Sequence, residues 1–77
     1  MASPKLLARP TLLRFSDRVQ ELRCERGLTQ CELGKLAYMT EEFIYRIERG
    51  TENPSLESIA LIALALNCDI RDLLLPE

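Results

Sequence analysis

Residues 29–50 read TQCELGKLAYMTEEFIYRIERG and contain two helix start signals. Thr29 is a favourable N-cap, and Glu32 completes an S/T-x-x-E capping box, in which the two residues satisfy each other's backbone N–H groups. Thr40 repeats the start signal, and two acidic residues follow it, where carboxylates suit the positive end of a helix dipole. The stretch therefore predicts one short helix after Thr29 and a second after Thr40.

The connection between these two helices is very short. Only Tyr38 and Met39 lie between Ala37, the last apolar position of the first helix, and the cap Thr40. Two helices joined by so few residues must cross at a steep angle, as they do in a helix-turn-helix. We expect that arrangement here.

The helix after Thr40 has two unlike sides. At 100° per residue, Ile44, Ile47 and Glu48 fall on one side. The other side carries hydrogen-bonding groups, namely Glu42, Tyr45, Arg46 and Arg49. Gly50 follows and is free to adopt the left-handed conformation that ends many helices. We predict that the first side is buried and the second is presented outward.

These motifs resemble the Cro and phage-repressor (Xre) family of DNA-binding proteins. The shared pattern is Thr29-Gln30, the small residue Gly34, and the endings Ile47-Glu48-Arg49-Gly50 and Asn53-Pro54-Ser55. The resemblance covers residues 13–75 and implies an all-α, compact five-helix domain of the lambda-repressor type. Tyr38 departs from the family, which usually has a glycine with positive φ at that position. We therefore expect a turn that is either strained or slightly different in shape.

The resemblance also implies a double-stranded DNA partner, with the second helix in the major groove. The base contacts expected from it are Thr40, Glu42, Tyr45, Arg46 and Arg49. The phosphate contacts expected are Thr29, Gln30, Asn53 and Ser55. Arg46 and Arg49 suit guanine, whereas Glu42 suits either a cytosine amino group or the helix dipole. Asn53 is equally well interpreted as a turn residue.

Glu48 has a structural role in this interpretation. It falls on the buried side of the second helix, where an unpaired carboxylate would be costly. In proteins that the chain resembles, the matching Glu pairs with an arginine of the first helix, which here is Arg23 or Arg18.

Residues 1–10 contain Pro4 and Pro10, and we interpret them as a flexible basic arm. Such an arm either reaches into a DNA groove or is a frayed terminus. The first helix is expected from Thr11 or Leu12 to Arg26, with residues 11–77 forming a single helix-turn-helix domain.

The C-terminal part is rich in leucine. Ser55 should cap a helix from Leu56 to Leu66, with Leu56, Ile59, Ile62, Ala63 and Leu66 on one face and Leu61 and Leu64 near the opposite one. Asn67 ends that helix, and Asp69 with Asp72 opens a last one. We expect a homodimer interface at Leu61, Leu64, Ile70 and Leu74. The alternative is that the last helix folds back and covers these side chains within one chain.

Composition limits the remaining classes. The 77 residues suffice for one small domain, and no apolar run approaches the roughly 18 residues of a membrane span. The N-terminus does not resemble a signal peptide, so we expect a cytoplasmic protein. The net charge is −2, but it is uneven: residues 1–50 carry +2 and residues 51–77 carry −4. A locally positive half suits phosphate binding.

The residue types argue against catalysis and metal binding. Cys24, Cys31 and Cys68 lack CxxC spacing, and the chain has no histidine. We therefore expect no metal, cofactor, small-molecule ligand or enzymatic activity. The expected function is a transcriptional regulator that binds a palindromic operator and controls its own promoter, like the small controller proteins of restriction-modification systems. Phage repressors and antitoxins share the signature, and a protein-interaction module is the alternative.

Overall fold

Residues 4–75 are described by the computed structural model, with side chains from residue 9 onward. Five helices follow one another: α1 Pro4–Glu25, α2 Gln30–Leu36, α3 Glu41–Arg49, α4 Leu56–Ala65 and α5 Ile70–Leu74. Within residues 4–75 there are no strands, so the expected all-α five-helix architecture is confirmed. α3 packs against α1 and α2, whereas α5 packs against α1 and α4.

One apolar core joins all five helices. Phe15, Val19 and Leu22 of α1 are buried at the i, i+4, i+7 spacing that the sequence shows. The other buried apolar residues are Leu33, Ala37, Ile44, Ile47, Ile62, Ala63, Leu66 and Leu73. Because α3 contributes two isoleucines to this core, its opposite side must face outward.

The N-caps read from the sequence are confirmed for α2 to α5; they are Thr29, Thr40, Ser55 and Asp69. At α2 the capping box is complete, with Glu32 N donating to Thr29 Oγ1 at 3.0 Å and Thr29 N donating to Glu32 Oε1 at 2.9 Å. The hydrogen bonds from Thr29 lower the pKa of the Glu32 carboxyl below its ordinary value. Local capping thus fixes where α2 and α3 begin.

The expected start of the first helix is wrong. α1 begins at Pro4 rather than at Thr11 or Leu12, so residues 4–10, which we assigned to an arm, form its first turns. Pro4 occupies the first helical position, where no N–H is needed, and Pro10 removes a single intrahelical hydrogen bond. Residues 1–3 lie outside the described part. Despite its 22 residues α1 is no bilayer span, and none of the helices within residues 4–75 has the length and apolarity to be one.

The helical wheel of α4 is correct for most positions and wrong for Leu56. Ile62 and Leu66 are buried and Leu64 is exposed, as expected, but Leu56 is also largely exposed. A wheel gives the angle of a side chain around the axis and ignores its height along the axis. Leu56 is the first residue of α4 and lies at its end, two turns from the most buried part of the helix.

The turn between α2 and α3 is tight at two positions. Met39 N donates to Gly34 O at 2.7 Å, and a Cβ atom on Gly34 would lie 2.7 Å from Met39 O. Only glycine permits that approach. Tyr38 has φ of 59°, a left-handed conformation that is uncommon for a residue with a Cβ atom.

Replacing Tyr38 tests the strain in the turn. The side chain is almost fully exposed, so Tyr38→Ala and Tyr38→Gly lose equally little packing. Alanine keeps a Cβ atom at positive φ, whereas glycine does not, so we expect Tyr38→Gly to be the more stable variant by about 1 kcal/mol in urea unfolding. A glycine variant no more stable than the alanine variant would show that the turn is unstrained.

Candidate nucleic-acid interface

α3 presents its polar side to solvent because its apolar side is locked into the core. Ile44 and Ile47 are buried, and Phe43 packs partly against the same core. The exposed residues on this helix and its cap are Thr40, Glu41, Glu42, Tyr45, Arg46 and Arg49. The structure therefore brings together all five residues that the sequence assigned to base contacts.

A buried ion pair joins α3 to α1. Arg23 Nε lies 2.6 Å from Glu48 Oε2 and Arg23 Nη2 lies 3.0 Å from Glu48 Oε1, with side chains 13% and 4% exposed. Hydrogen bonding to Glu48 raises the pKa of the Arg23 guanidinium above its ordinary value. Of the two arginines proposed, Arg23 is therefore the partner. Arg18 instead donates to Asp72 O at 3.0 Å and pairs with Glu21 at 2.7 Å.

Two further hydrogen bonds extend this pair into what we call the Arg23 network: Arg23, Glu48, Leu28 and Gln30. Arg23 Nη1 donates to Leu28 O at 2.8 Å, and Gln30 Nε2 donates to Glu48 Oε1 at 3.1 Å. The network thus ties α1, the loop after it, the start of α2 and α3 together. The Gln30 bond is not predicted by the sequence motifs, which assign Gln30 to phosphate alone.

Tyr45 and Arg49 contact each other on the outward side. Arg49 Nη1 donates to the Tyr45 hydroxyl at 3.0 Å, and Arg49 Cζ lies 5.6 Å from the Tyr45 ring centroid. The i, i+4 spacing brings the two side chains together, and the guanidinium is attracted to the ring face. They therefore offer one combined surface on the outward side of α3.

Arg46 lies between two carboxylates. Its Nη1 is 3.6 Å from Glu42 Oε1, and its Nη2 is 3.5 Å from Glu52 Oε1. Glu42 is one helical turn away, so spacing predicts that contact. Glu52 lies beyond the helix end at Gly50, where helical spacing no longer applies. Its contact with Arg46 is therefore not predicted from the sequence.

The residues expected at phosphates lie at the start of α2, at the start of α4 and in the loop before α4. Thr29 and Ser55 both use their side-chain oxygens to accept the N–H groups of their own helices, from Glu32 and Ser58. Asn53 is exposed and borders a groove of about 430 Å³ between α1 and the loop before α4. All these residues lie at or beside helix starts, which favour anions.

The residues expected at a dimer interface differ in exposure. Leu64 is 77% exposed, whereas Leu61, Ile70 and Leu74 pack partly against the core of their own chain. The alternative, in which the last helix folds back onto its own chain, therefore explains why three of these side chains are partly buried. It leaves Leu64 exposed.

No metal-binding cluster of His, Cys, Asp and Glu occurs among the described residues. Cys24, Cys31 and Cys68 are free thiols, and burial raises the pKa of the Cys68 thiol. Nothing in the described part of the chain thus gathers the ligands of a metal ion.

A family model described as helix-turn-helix (HTH_3) matches residues 19–73, well over half of the chain. The chain belongs to this helix-turn-helix family. The match begins in α1 and ends in α5, so it contains the Arg23 network and the whole outward side of α3.

Individual members of the helix-turn-helix family agree with this assignment. The HTH-type transcriptional regulator DdrOP3 of Deinococcus deserti is 34% identical over 62 residues, covering 80% of this chain and 48% of the relative. The chain thus spans about half the length of that relative. An uncharacterised HTH-type transcriptional regulator of Archaeoglobus fulgidus is 41% identical over 56 residues, which are 73% of this chain and 80% of the relative.

A solved structure of the helix-turn-helix fold is also similar. The restriction-modification controller protein C.AhdI of Aeromonas hydrophila superimposes with a TM-score of 0.78 at 37% identity, covering 80% of this chain and 94% of the controller protein. The superposition therefore includes nearly the whole of the controller protein.

Glu48→Gln tests the Arg23 network. The substitution keeps the shape of the side chain but leaves the buried guanidinium of Arg23 without its counter-charge, so we expect a loss of about 3 kcal/mol in the free energy of unfolding. The matched control is Glu42→Gln on the exposed side of the same helix, where we expect a change below about 0.5 kcal/mol. Equal losses in urea unfolding for the two variants would contradict the structural role of Glu48.

Proposed function

We propose that this helix-turn-helix protein is a sequence-specific, DNA-binding transcriptional regulator. The observation that carries the proposal is the outward side of α3, where Glu42, Arg46 and the Tyr45–Arg49 pair are exposed on a helix whose other side is fixed in the core. A helix about 10–12 Å across fits a major groove about 12 Å wide. Exposed donors on such a helix meet base edges, which carry the sequence information.

The contacts divide by chemistry. Arg46 and Arg49 present donor pairs suited to guanine O6 and N7, and Glu42 suits the amino group of cytosine. Thr40 and Tyr45 supply hydroxyl groups beside them. Thr29, Gln30, Asn53 and Ser55 meet phosphates, where they set the position of α3 without selecting the sequence.

We further propose that the protein acts as a two-fold homodimer. Leu64 is the most exposed residue of the proposed interface, and Leu61, Ile70 and Leu74 are its partly buried members. Such a dimer places two recognition helices about 34 Å apart, which requires a palindromic operator. The likeness to a restriction-modification controller protein supports a regulator of that type, acting on its own promoter in the cytoplasm.

Selection of duplexes from a random DNA pool tests the DNA-binding proposal. We expect one palindrome to be enriched, bound by two chains, with an affinity that falls steeply as salt rises. Arg46→Ala should weaken binding to that palindrome by at least about fivefold, since a bidentate contact to guanine gives roughly 1–3 kcal/mol. Arg71→Ala is the control, because it removes the same charge from α5.

The opposite outcome is equally specific. If no duplex is enriched while the chain is folded and dimeric, the DNA-binding proposal fails and the protein-interaction module becomes the better explanation. If Arg46→Ala and Arg71→Ala weaken binding equally, Arg46 does not contact bases.

Leu64→Glu tests the interface. A carboxylate in an apolar interface must be desolvated, so we expect the variant to sediment as a monomer at concentrations where the wild-type chain is a dimer. Leu36→Glu is the matched control, since Leu36 is an exposed leucine on α2 and lies outside the proposed interface. Dimerisation that survives Leu64→Glu would contradict the interface.

A further inference from the structure

Two carboxylates balance the charge of Arg46, but its N–H groups donate no hydrogen bond to either of them. The other arginines around α3 do donate hydrogen bonds. Two carboxylates lie 3.6 Å and 3.5 Å from its terminal nitrogens, which is longer than the 2.7–2.9 Å of a charge-assisted hydrogen bond. Within residues 4–75 the guanidinium of Arg46 donates no hydrogen bond. Its N–H groups are therefore all available to an outside acceptor.

The position of Glu52 follows from the way α3 ends. Gly50 has φ of 75°, and its N–H donates to Ile47 O at 3.0 Å. Thr51 then donates twice to Arg46 O, from its backbone N at 3.1 Å and from Oγ1 at 3.2 Å. The loop that carries Glu52 is thus tied to the backbone of Arg46 itself.

The two carboxylates beside Arg46 are not equivalent. The side chain of Glu42 is 76% exposed, whereas that of Glu52 is 30% exposed. Water screens an ion pair at an exposed carboxylate, and a mobile exposed side chain restrains its partner little. Glu52 is therefore the partner that limits where the Arg46 guanidinium can go.

The charge near α3 makes this restraint important. Around α3, Arg46 and Arg49 are cationic, Glu41 and Glu42 are exposed carboxylates, and Glu52 is a partly exposed one. These carboxylates offset the charge of the arginines, so the surface attracts phosphate less than arginines without acidic neighbours would. An oriented arginine still gains from a guanine edge, because that contact depends on aligned donors as well as on charge.

We propose that Glu52 is a specificity-determining residue that acts by positioning Arg46. It holds the guanidinium in the orientation that meets guanine and offsets the charge that would otherwise bind phosphates of any sequence. The proposal rests on the DNA-binding function proposed above. It adds a role for a residue that lies outside α3, in the loop between α3 and α4.

Glu52→Gln tests the proposal on the operator that the wild-type chain selects. The amide keeps the size of the side chain and removes its charge. We expect the preference for guanine at one position of each half-site to fall by about two- to fivefold, the range of an exposed ion pair. Binding to an unrelated duplex should become tighter, with a salt dependence about one unit steeper, because one more cation is free to meet phosphate.

Glu41→Gln is the matched control. It removes the same charge from the same outward surface, but Glu41 forms no ion pair within the described residues. We expect it to tighten binding to the selected and the unrelated duplex alike, with unchanged preference at every base position. Urea unfolding of both variants checks that the fold is retained.

Each outcome separates the two proposals. If the wild-type chain selects no operator, the DNA-binding function fails and the role of Glu52 with it. If the wild-type chain selects an operator but Glu52→Gln leaves every base preference unchanged, or merely repeats the effect of Glu41→Gln, the role of Glu52 alone is overturned. A loss of preference confined to one guanine position in Glu52→Gln supports it.

Discussion

The orientation of α3 depends on the ion pair between Arg23 and Glu48. Three N–H groups of Arg23 are used, two on Glu48 and one on Leu28 O. Desolvating both charges costs several kcal/mol, so such a pair adds little net stability compared with two apolar side chains. Its effect is geometric, because two parallel N–H···O bonds fix both the distance and the rotation of α3 relative to α1. Apolar packing through Ile44 and Ile47 alone would tolerate small rotations about the helix axis.

The turn between α2 and α3 supplies the second constraint. Gly34 allows the two helices to approach to a distance at which any Cβ atom would collide with Met39 O. Tyr38 accepts a left-handed backbone to complete that turn. The turn sets the angle between the helices, and the Arg23 network sets the rotation of α3. Together they determine which side chains of α3 face outward.

The sequence predicts features that depend on neighbours along the chain. Caps such as Thr29, Thr40 and Asp69 involve residues at most three positions apart, and the buried isoleucines of α3 follow from helical periodicity. The choice of Arg23 over Arg18 depended on which arginine faces α3. Both arginines lie on α1, and their separation from Glu48 along the chain does not distinguish them. The start of α1 is not predicted from the sequence because a proline in a helix interior usually kinks or breaks the helix, whereas α1 continues through Pro10. Glu52 was missed because its contact crosses a helix end.

The acidic character of the outward surface is compatible with DNA binding once affinity and discrimination are treated separately. The proposed phosphate contacts at the starts of α2 and α4 supply attraction, and the second subunit of the proposed dimer doubles them. The outward side of α3 then need not attract DNA by charge. Arg49 is held by Tyr45, and Arg46 lies between carboxylates, so neither guanidinium is free to follow any nearby phosphate. Under the proposed function, a groove whose bases match these donors is bound, and a groove that does not match meets carboxylates and arginines already in contact with each other. The proposed role of the acids beside the arginines is thus to make the wrong sequence unfavourable.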